Sequence, residues 1–546
     1  MEKLKCEVAV IGGSLGGIAA AWALLRHKRR VILTGEYAWL GGQATSQAVP
    51  PDENKYIETI SGTASYRQWR KQVRDYYRRN YPLKTAFRDR DDLNPGGGSV
   101  SLLCHEPKVS AAVFEALLAP YQSSGQLRVL TGWVPVSAEL AACRLPVVET
   151  PSDSSKSRGR LVRQVTLRHL TDDEKLCLEA DYFLDATELG ELLPLTQTEY
   201  VCGAEAQSDT GELHALPQAD PQDIQSLTWC FAVSREKQGS FVIPKPAAFD
   251  SLYQRRYPFW PGSLFSWVYN QPISLQPEYG TIDGEAGKRD LWTYRRIFSG
   301  GMMAEGNAAD ITLVNWPQND YWGGSIIDVP ETLKQRHLEE SRQLSLSFLY
   351  WLQTAAPRAD GRRGYPELRL RGDSLGTADG LAQAPYIRES RRILPLKRVT
   401  EADVGYDMRQ QINRENRPEA KQFSDSVGIG YYRIDLHPST GGRNYVDIQS
   451  LPFQIPLGAL IPRHTANLLP ACKNIGTTHI TNGCYRLHPV EWNIGEVSGL
   501  LADFCLHQHC LPMETDREPA RLLAFQQLLC AEGITLAWLE HLRAGL

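Results

Sequence analysis

Four of the twelve histidines stand where a proton could be moved. His105 lies in Cys104-His105-Glu106-Pro107 and His437 in Asp435-Leu436-His437-Pro438, while His479 and His488 flank Asn482-Gly483-Cys484-Tyr485-Arg486. An imidazole with a free pKa of about 6.5 suits proton transfer near neutral pH; each of the four otherwise serves as a hydrogen-bonded structural histidine. The Arg388–Arg392 run offers guanidinium forks for an acidic ligand, or a cluster paired within itself, because Glu389 lies inside it. Cys505, His507, His509 and Cys510 have the chemistry of metal ligands. On a helix, however, positions i and i+2 point apart, and Cys505 with His509 is an incomplete set, so no metal is expected.

A second chemistry is read at the amino terminus. Cys6–Ile11 is a β-branched run suited to a buried parallel strand. Gly12-Gly13-Ser14-Leu15-Gly16-Gly17 follows, then an alanine-rich helical stretch over Ile18–Leu25, a basic end at Arg26 to Arg30, and a second strand at Val31–Thr34. Strand, glycine turn, helix and strand in that order form the context in which free N–H groups at a helix start meet a pyrophosphate. The register is Gly12, Ser14, Gly17, with serine in the second glycine position. Gly35 occupies the place expected for a ribose-binding acid, and Glu36 follows it.

Five segments carry a family resemblance. Trp39-Leu40-Gly41-Gly42-Gln43-Ala44-Thr45 resembles the GGxxT turn of FAD-dependent oxidoreductases with a glutathione-reductase-like FAD domain. Asp181–Glu188 resembles that family's hydrophobic strand ending in A-T-[GDE], Asn467–Ala471 its last FAD-domain strand, and Gly495–Ala502 its LGxAxGxxA helix. Pro385–Ile393 resembles the PYxRESRRI segment of one subgroup. The resemblance implies FAD as cofactor, with Gly12, Ser14, Gly17, Glu36, Gly41, Gly42, Gln43, Ala186, Thr187, Asn493, Gly495 and Glu496 toward it. Gln47 and Asp52, on the loop leaving the GG turn, are expected near flavin or substrate. Position relative to the family's flavin-closing helix makes His488 and Arg486 candidate catalytic residues, with Glu491 behind them, and His437, inside an expected returning strand, is a further candidate. Ala471-Cys472-Lys473 departs from the family, many of whose members have a glycine there. Gly372-Asp373 mimics a motif of aromatic-hydroxylating flavin monooxygenases, but Pro385 and the arginine run follow it where a small-residue helix belongs.

Those sites need a scaffold, and 546 residues supply one with ordinary globular composition, 42% hydrophobic and 22% charged. The expected fold class is α/β: a Rossmann-like (glutathione-reductase-type) FAD-binding domain with an inserted α+β substrate domain. Segments 1–50, 105–215 and 450–510 form the discontinuous FAD domain, 51–104 an insertion or lid, 216–449 the substrate domain and 511–546 a helical tail. Helices are expected over Pro107–Tyr121 and Glu331–Leu352, strands near 127–131 and 160–168, and a solvated hairpin tip at Ser152–Arg160. The Tyr- and Arg-rich spacing of 66–79 resembles an exposed helix with basic and aromatic faces. Aromatic Val314–Trp322 suits one wall of a pocket.

Composition also excludes classes. Fifty-nine basic against sixty-three acidic residues leave a net charge of −4, unlike a nucleic-acid scaffold. No apolar run reaches the ~18 residues of a membrane span. The glycines at 12–17 interrupt what would otherwise read as a signal peptide, and eleven cysteines without a CxxC pair suit a reducing cytoplasm. A second GxGxxG unit and a redox cysteine pair beside the first helix are both absent. Electrons are therefore expected to enter from a small-molecule substrate and leave to oxygen, a quinone or a protein. The expected reaction is a two-electron dehydrogenation, with an NAD(P)H-dependent flavin monooxygenase or a non-catalytic flavoprotein as alternatives.

Overall fold

The computed structural model describes residues 2–145, 158–304, 308–414 and 417–544. In chain order, the elements that position the site begin with β1 (Glu2–Ile11), α1 (Leu15–Arg26), β2 (Val31–Gly35), α2 (Ala64–Asn80), α3 (Pro107–Ser123) and β3 (Leu127–Thr131). β4 (Trp133–Arg144), β5 (Arg158–His169) and β6 (Lys175–Asp185) follow, then β7 (Phe231–Arg235), β8 (Arg296–Phe298), β9 (Ile311–Val314), α4 (Glu331–Thr354) and β10 (Leu368–Leu370). The chain continues through β11 (Ile434–Leu436), β12 (Leu468–Pro470), α5 (His479–Tyr485), α6 (His488–Gln508), α7 (Pro512–Arg517) and α8 (Pro519–Ala531).

β1 pairs in parallel with β2 (Val8↔Val31) and with β6 (Val8↔Tyr182), and β2 pairs in parallel with β3. One edge of β6 is shared. Its first half pairs antiparallel with β5 (Gln164↔Glu179), which pairs with β4, and its second half takes β12 in parallel (Phe183↔Leu468). Alternating side chains of β1 feed two cores, Val8 and Val10 on one face and Ala9 and Ile11 on the other, as the period of two requires. The Ser152–Arg160 tip falls on the β4–β5 connection, where residues 152–157 lie outside the described residues. A separate antiparallel sheet runs β8-β9-β7-β10.

α6 is buried without interruption from His488 to Cys505, and its acids Glu491 and Glu496 are met by the Gly16 N–H and by Arg26 and Ser65. It lies directly on α1: a Cβ on Gly495 would come 2.0 Å from the carbonyl oxygen of Gly16. α2 is not the exposed helix its charge suggests. Tyr66, Trp69, Arg70, Val73, Arg74 and Tyr77 face inward, at spacings that share one helical face. Trp69 packs against both Phe114 of α3 and Trp492 of α6, with centroids at 5.7 and 5.9 Å, in a three-ring cluster. Glu53 and Glu58 meet Arg70, and Glu58 also meets Arg74, so the basic residues are neutralised in place.

Candidate active site and cofactor cleft

Parallel strands β1, β2, β6 and β12 end on one side of the sheet, the side on which α/β folds bind ligands. Gly12 leaves β1 at φ +109°, and a Cβ there would lie 2.2 Å from the carbonyl oxygen of Ala186, so only glycine passes. Ser14 caps α1, its Oγ accepting from the Gly17 N–H at 3.1 Å. The second glycine turn is tied to the first by the Gly41 N–H donating to the Gly13 carbonyl at 2.7 Å. Between the turns runs a cleft lined by Gly12, Ser14, Glu36, Gly42, Ala186 and Thr187. It adjoins a cavity of about 360 Å³ that shares Glu36 and Glu188 with it and reaches Gln47. The buried Asp185 carboxyl accepts from both N–H and Oγ1 of Thr187 (3.1 and 2.6 Å), and burial pushes its pKa up to about 7.

The inner end of the cleft is charged. Glu491 of α6 accepts from the Gly16 N–H at 3.1 Å, and the Gln43 amide donates to Glu491 and to the Arg486 carbonyl, the latter at 2.9 Å. Lys473 Nζ contacts Glu188 and lies 3.4 Å from Cys472 Sγ and 3.9 Å from Glu491. Glu188, Cys472 and Glu491 alone have the spacing of a metal site among the described residues; the ammonium of Lys473 already meets their charge. Floored by glycine, at the amino-terminal end of α1 and with Glu188 Oε1 buried without a hydrogen-bond partner, this cleft fits an extended dinucleotide.

A larger cavity of about 450 Å³ is lined by Tyr294, Arg295, Trp316, Tyr432, Asp435 and His437, among others. His437, just past β11, has Nδ1 at 2.6 Å from Asp320 Oδ2 and Nε2 at 3.6 Å from Asp435 Oδ2. Arg388 holds the other oxygen of Asp320 at 3.0 Å. Arg486 donates to the Asp435 carbonyl at 3.0 Å and to Tyr386 Oη at 2.9 Å. Asp435 thus brings His437 and Arg486 together. Burial works against the charge on Asp320, but Arg388 and His437 outweigh it and hold the carboxyl below its usual range.

His488 is placed differently. Its Nδ1 accepts from the Asp52 N–H at 3.2 Å and its Nε2 faces the Val49 carbonyl at 3.2 Å, so the ring holds the 49–52 loop, and burial pushes its pKa down to about 4. His105 is enclosed by Leu103 and Ser110, and His479 faces Glu389 at 2.9 Å. Gln47 accepts from the Ile387 N–H at 3.2 Å, and Asp52 faces Arg295 at 3.4 Å. The arginine run is paired within the chain: Arg388 with Asp320, Arg391 with Asp328, Arg392 with Glu205 and Glu389. Asn493 donates to the Val427 carbonyl, and Glu496 accepts from Arg26 and Ser65. The structure does not bring these two to the glycine turns; Glu491 is the α6 acid that reaches them. Sequence reasoning assigned no role to Asp320, Arg295 or Lys473, although Asp320 sits in the aromatic 314–322 segment read as a pocket wall.

The family described as FAD dependent oxidoreductase matches residues 7–529. The chain belongs to that family; it is an oxidoreductase, and FAD is its cofactor. No curated protein matches it. Among solved structures, a geranylgeranyl bacteriochlorophyll reductase-like protein from Thermoplasma acidophilum is 9% identical over 97% of this chain and 85% of that one, with a TM-score of 0.31. A myxobacterial chondrochloren halogenase is 11% identical over 96% and 79%, also at 0.31. L-proline dehydrogenase from P. horikoshii is 15% identical over 37% of this chain, which spans 24% of that protein, at 0.17. These likenesses are too remote to carry an argument about the reaction. No described helix is long and apolar enough to cross a membrane.

Proposed function

We propose that the chain dehydrogenates a small or medium organic substrate in the 450 Å³ cavity, with His437 taking the O–H or N–H proton. The observation that carries this reading is the His437–Asp320 pair. A carboxylate at Nδ1 fixes the ring and its proton on that nitrogen, leaving Nε2 as the acceptor on the cavity wall. Asp435, held by Arg486, lies 3.6 Å from Nε2. His488 serves in this reading as the residue that positions the 49–52 loop.

When bound, FAD supplies a two-electron hydride acceptor, restored by oxygen, a quinone or a protein. Gly12, Ser14, Gly17, Glu36, Gly41, Gly42, Gln43, Ala186 and Thr187 would hold it, and the shared edge of β6 supports a glutathione-reductase-type FAD domain with the 216–449 segment inserted as a substrate domain. No disulfide joins any of the eleven cysteines among the described residues, which supports a cytoplasmic setting.

The test is anaerobic bleaching of the flavin band in the holoenzyme by candidate alcohols, amines and acids. His437→Ala is expected to retain flavin and bleach about 10²–10⁴-fold more slowly. NADH-dependent oxygen uptake without substrate bleaching would replace the dehydrogenase reading with a monooxygenase.

A further inference from the structure

We propose that the 450 Å³ cavity takes a substrate bearing a carboxylate, and that Arg295 is the residue that binds it; this rests on reading the cavity as the substrate site. Arg295 is 8% exposed, and its Nε and Nη1 are buried without a hydrogen-bond partner. Its one ion contact is Asp52 Oδ1 at 3.4 Å, an oxygen that itself makes no hydrogen bond.

The other buried arginines near the site have both Nη groups filled and leave only Nε without a partner. Arg388 donates to Ser226, Thr228, Asn315 and Asp320. Arg486 donates to Tyr386 and Asp435. Leaving guanidinium donors buried and unfilled is costly, so Arg295 marks a place where an acceptor belongs.

Two neighbours on the same cavity wall share the defect: Asn315 Nδ2 and Trp316 Nε1 are buried donors with no acceptor. Three side chains lacking acceptors in one cavity call for a ligand rich in acceptor oxygens. The planar guanidinium fork matches a carboxylate in two parallel hydrogen bonds. A dianionic phosphate is the poorer match, because Asp52, Asp435 and Asp447 crowd the same volume with negative charge. Tyr294, Tyr432 and Trp316 offer rings to the organic body of the ligand. His437 lines the same cavity, so the anchored ligand and the proton acceptor share one volume.

The test is calorimetric titration of the holoenzyme with benzoate and with benzyl alcohol, which share a ring and differ in charge. Benzoate is expected to bind and benzyl alcohol to bind far more weakly. Arg295→Gln should weaken benzoate about 10- to 100-fold, the loss expected of charge-assisted hydrogen bonds, leaving benzyl alcohol and flavin content unchanged. If Arg295→Gln does not fold, Arg295→Lys keeps the charge without the fork and should still lose benzoate selectively. Benzoate that fails to bind the wild type, binds no better than benzyl alcohol, or binds both variants as it binds the wild type overturns the proposal. Such a failure leaves the His437 bleaching test standing. Arg295-dependent benzoate binding in an enzyme that no substrate bleaches would keep the anion site and remove the dehydrogenase reading.

Discussion

Nδ1 of His437 lies 2.6 Å from Oδ2 of Asp320, a carboxylate from a segment 117 residues away whose other oxygen is held by Arg388. One buried acid therefore orients an imidazole on one side and neutralises a buried guanidinium on the other. The two duties separate by measurement, one in rate and one in stability.

Replacing Asp320 with asparagine tests both. The amide is able to donate to Nδ1, which moves the imidazole proton to Nε2 and blocks the accepting nitrogen. Turnover is expected to fall by at least about 10²-fold, the lower end for loss of general-base catalysis. Arg388 loses its ionic partner in the same change, and breaking a buried pair costs about 3–5 kcal/mol, so Tm should fall too. Turnover and Tm both at wild-type values would rule out the arrangement.

Gly12 tests the cofactor cleft. Its φ is +109°, and a Cβ at this position would sit 2.2 Å from the Ala186 oxygen, which leaves no room for alanine. Gly12→Ala should yield protein without flavin, or little soluble protein. Ser14→Ala removes the cap of α1 at a cost of about 1 kcal/mol and should keep its flavin. Absorbance of flavin per chain decides; full flavin in Gly12→Ala would mean the cofactor lies elsewhere.

Acid stability follows from two buried histidines. Burial holds the imidazoles of His105 and His488 at about 4, against about 6.5 in the unfolded chain. Between those values the unfolded chain binds protons that the folded chain refuses, so their contribution is full above about pH 6.5 and lost as pH falls toward 4. Asp185, pushed up to about 7, acts with the opposite sign over about pH 4–7. The clean readout is therefore a difference: the Tm deficit of His105→Gln relative to wild type should shrink as pH is lowered from 7 to about 5. A pH-independent deficit would show that His105 takes up its proton alike in the folded and the unfolded chain, and so overturn the lowered value.

Local patterns made part of this legible. The β1–α1–β2 unit reads directly because a period of two, a glycine turn and a small-residue helix are all local signals. α6 was read only from Gly495, although Pro489 and Glu491 in its first turn are residues that favour a helix start, and His488 proved to be its first residue. The His437–Asp320 contact spans 117 residues, and no spacing announces it. α2 read as solvent-facing because Arg70 and Arg74 are charged; the acids that bury them, Glu53 and Glu58, come from the preceding loop rather than from the helix.

Lys473 lies in the Ala471-Cys472-Lys473 segment just past β12, and the structure gives its ammonium a use. Glu188 and Glu491 place oxygens within 4.8 Å of each other, one lining the cofactor cleft and the other binding the Gly16 N–H, with Lys473 Nζ in contact with both groups. Without that ammonium, half-buried Glu188 and buried Glu491 would face each other at the cofactor cleft, and like charges would disfavour both acids and an anionic ligand held there. Lys473→Met should weaken FAD at least about 10-fold, the scale of one lost charge-assisted hydrogen bond, as read by fluorescence titration of the apoprotein. Glu188→Gln added to that variant removes one of the repelling charges and should recover most of the affinity. If Lys473→Met binds FAD as the wild type does, the ammonium balances only its own neighbours. If the double variant binds no better than the single one, Glu188 is not the charge that Lys473 offsets.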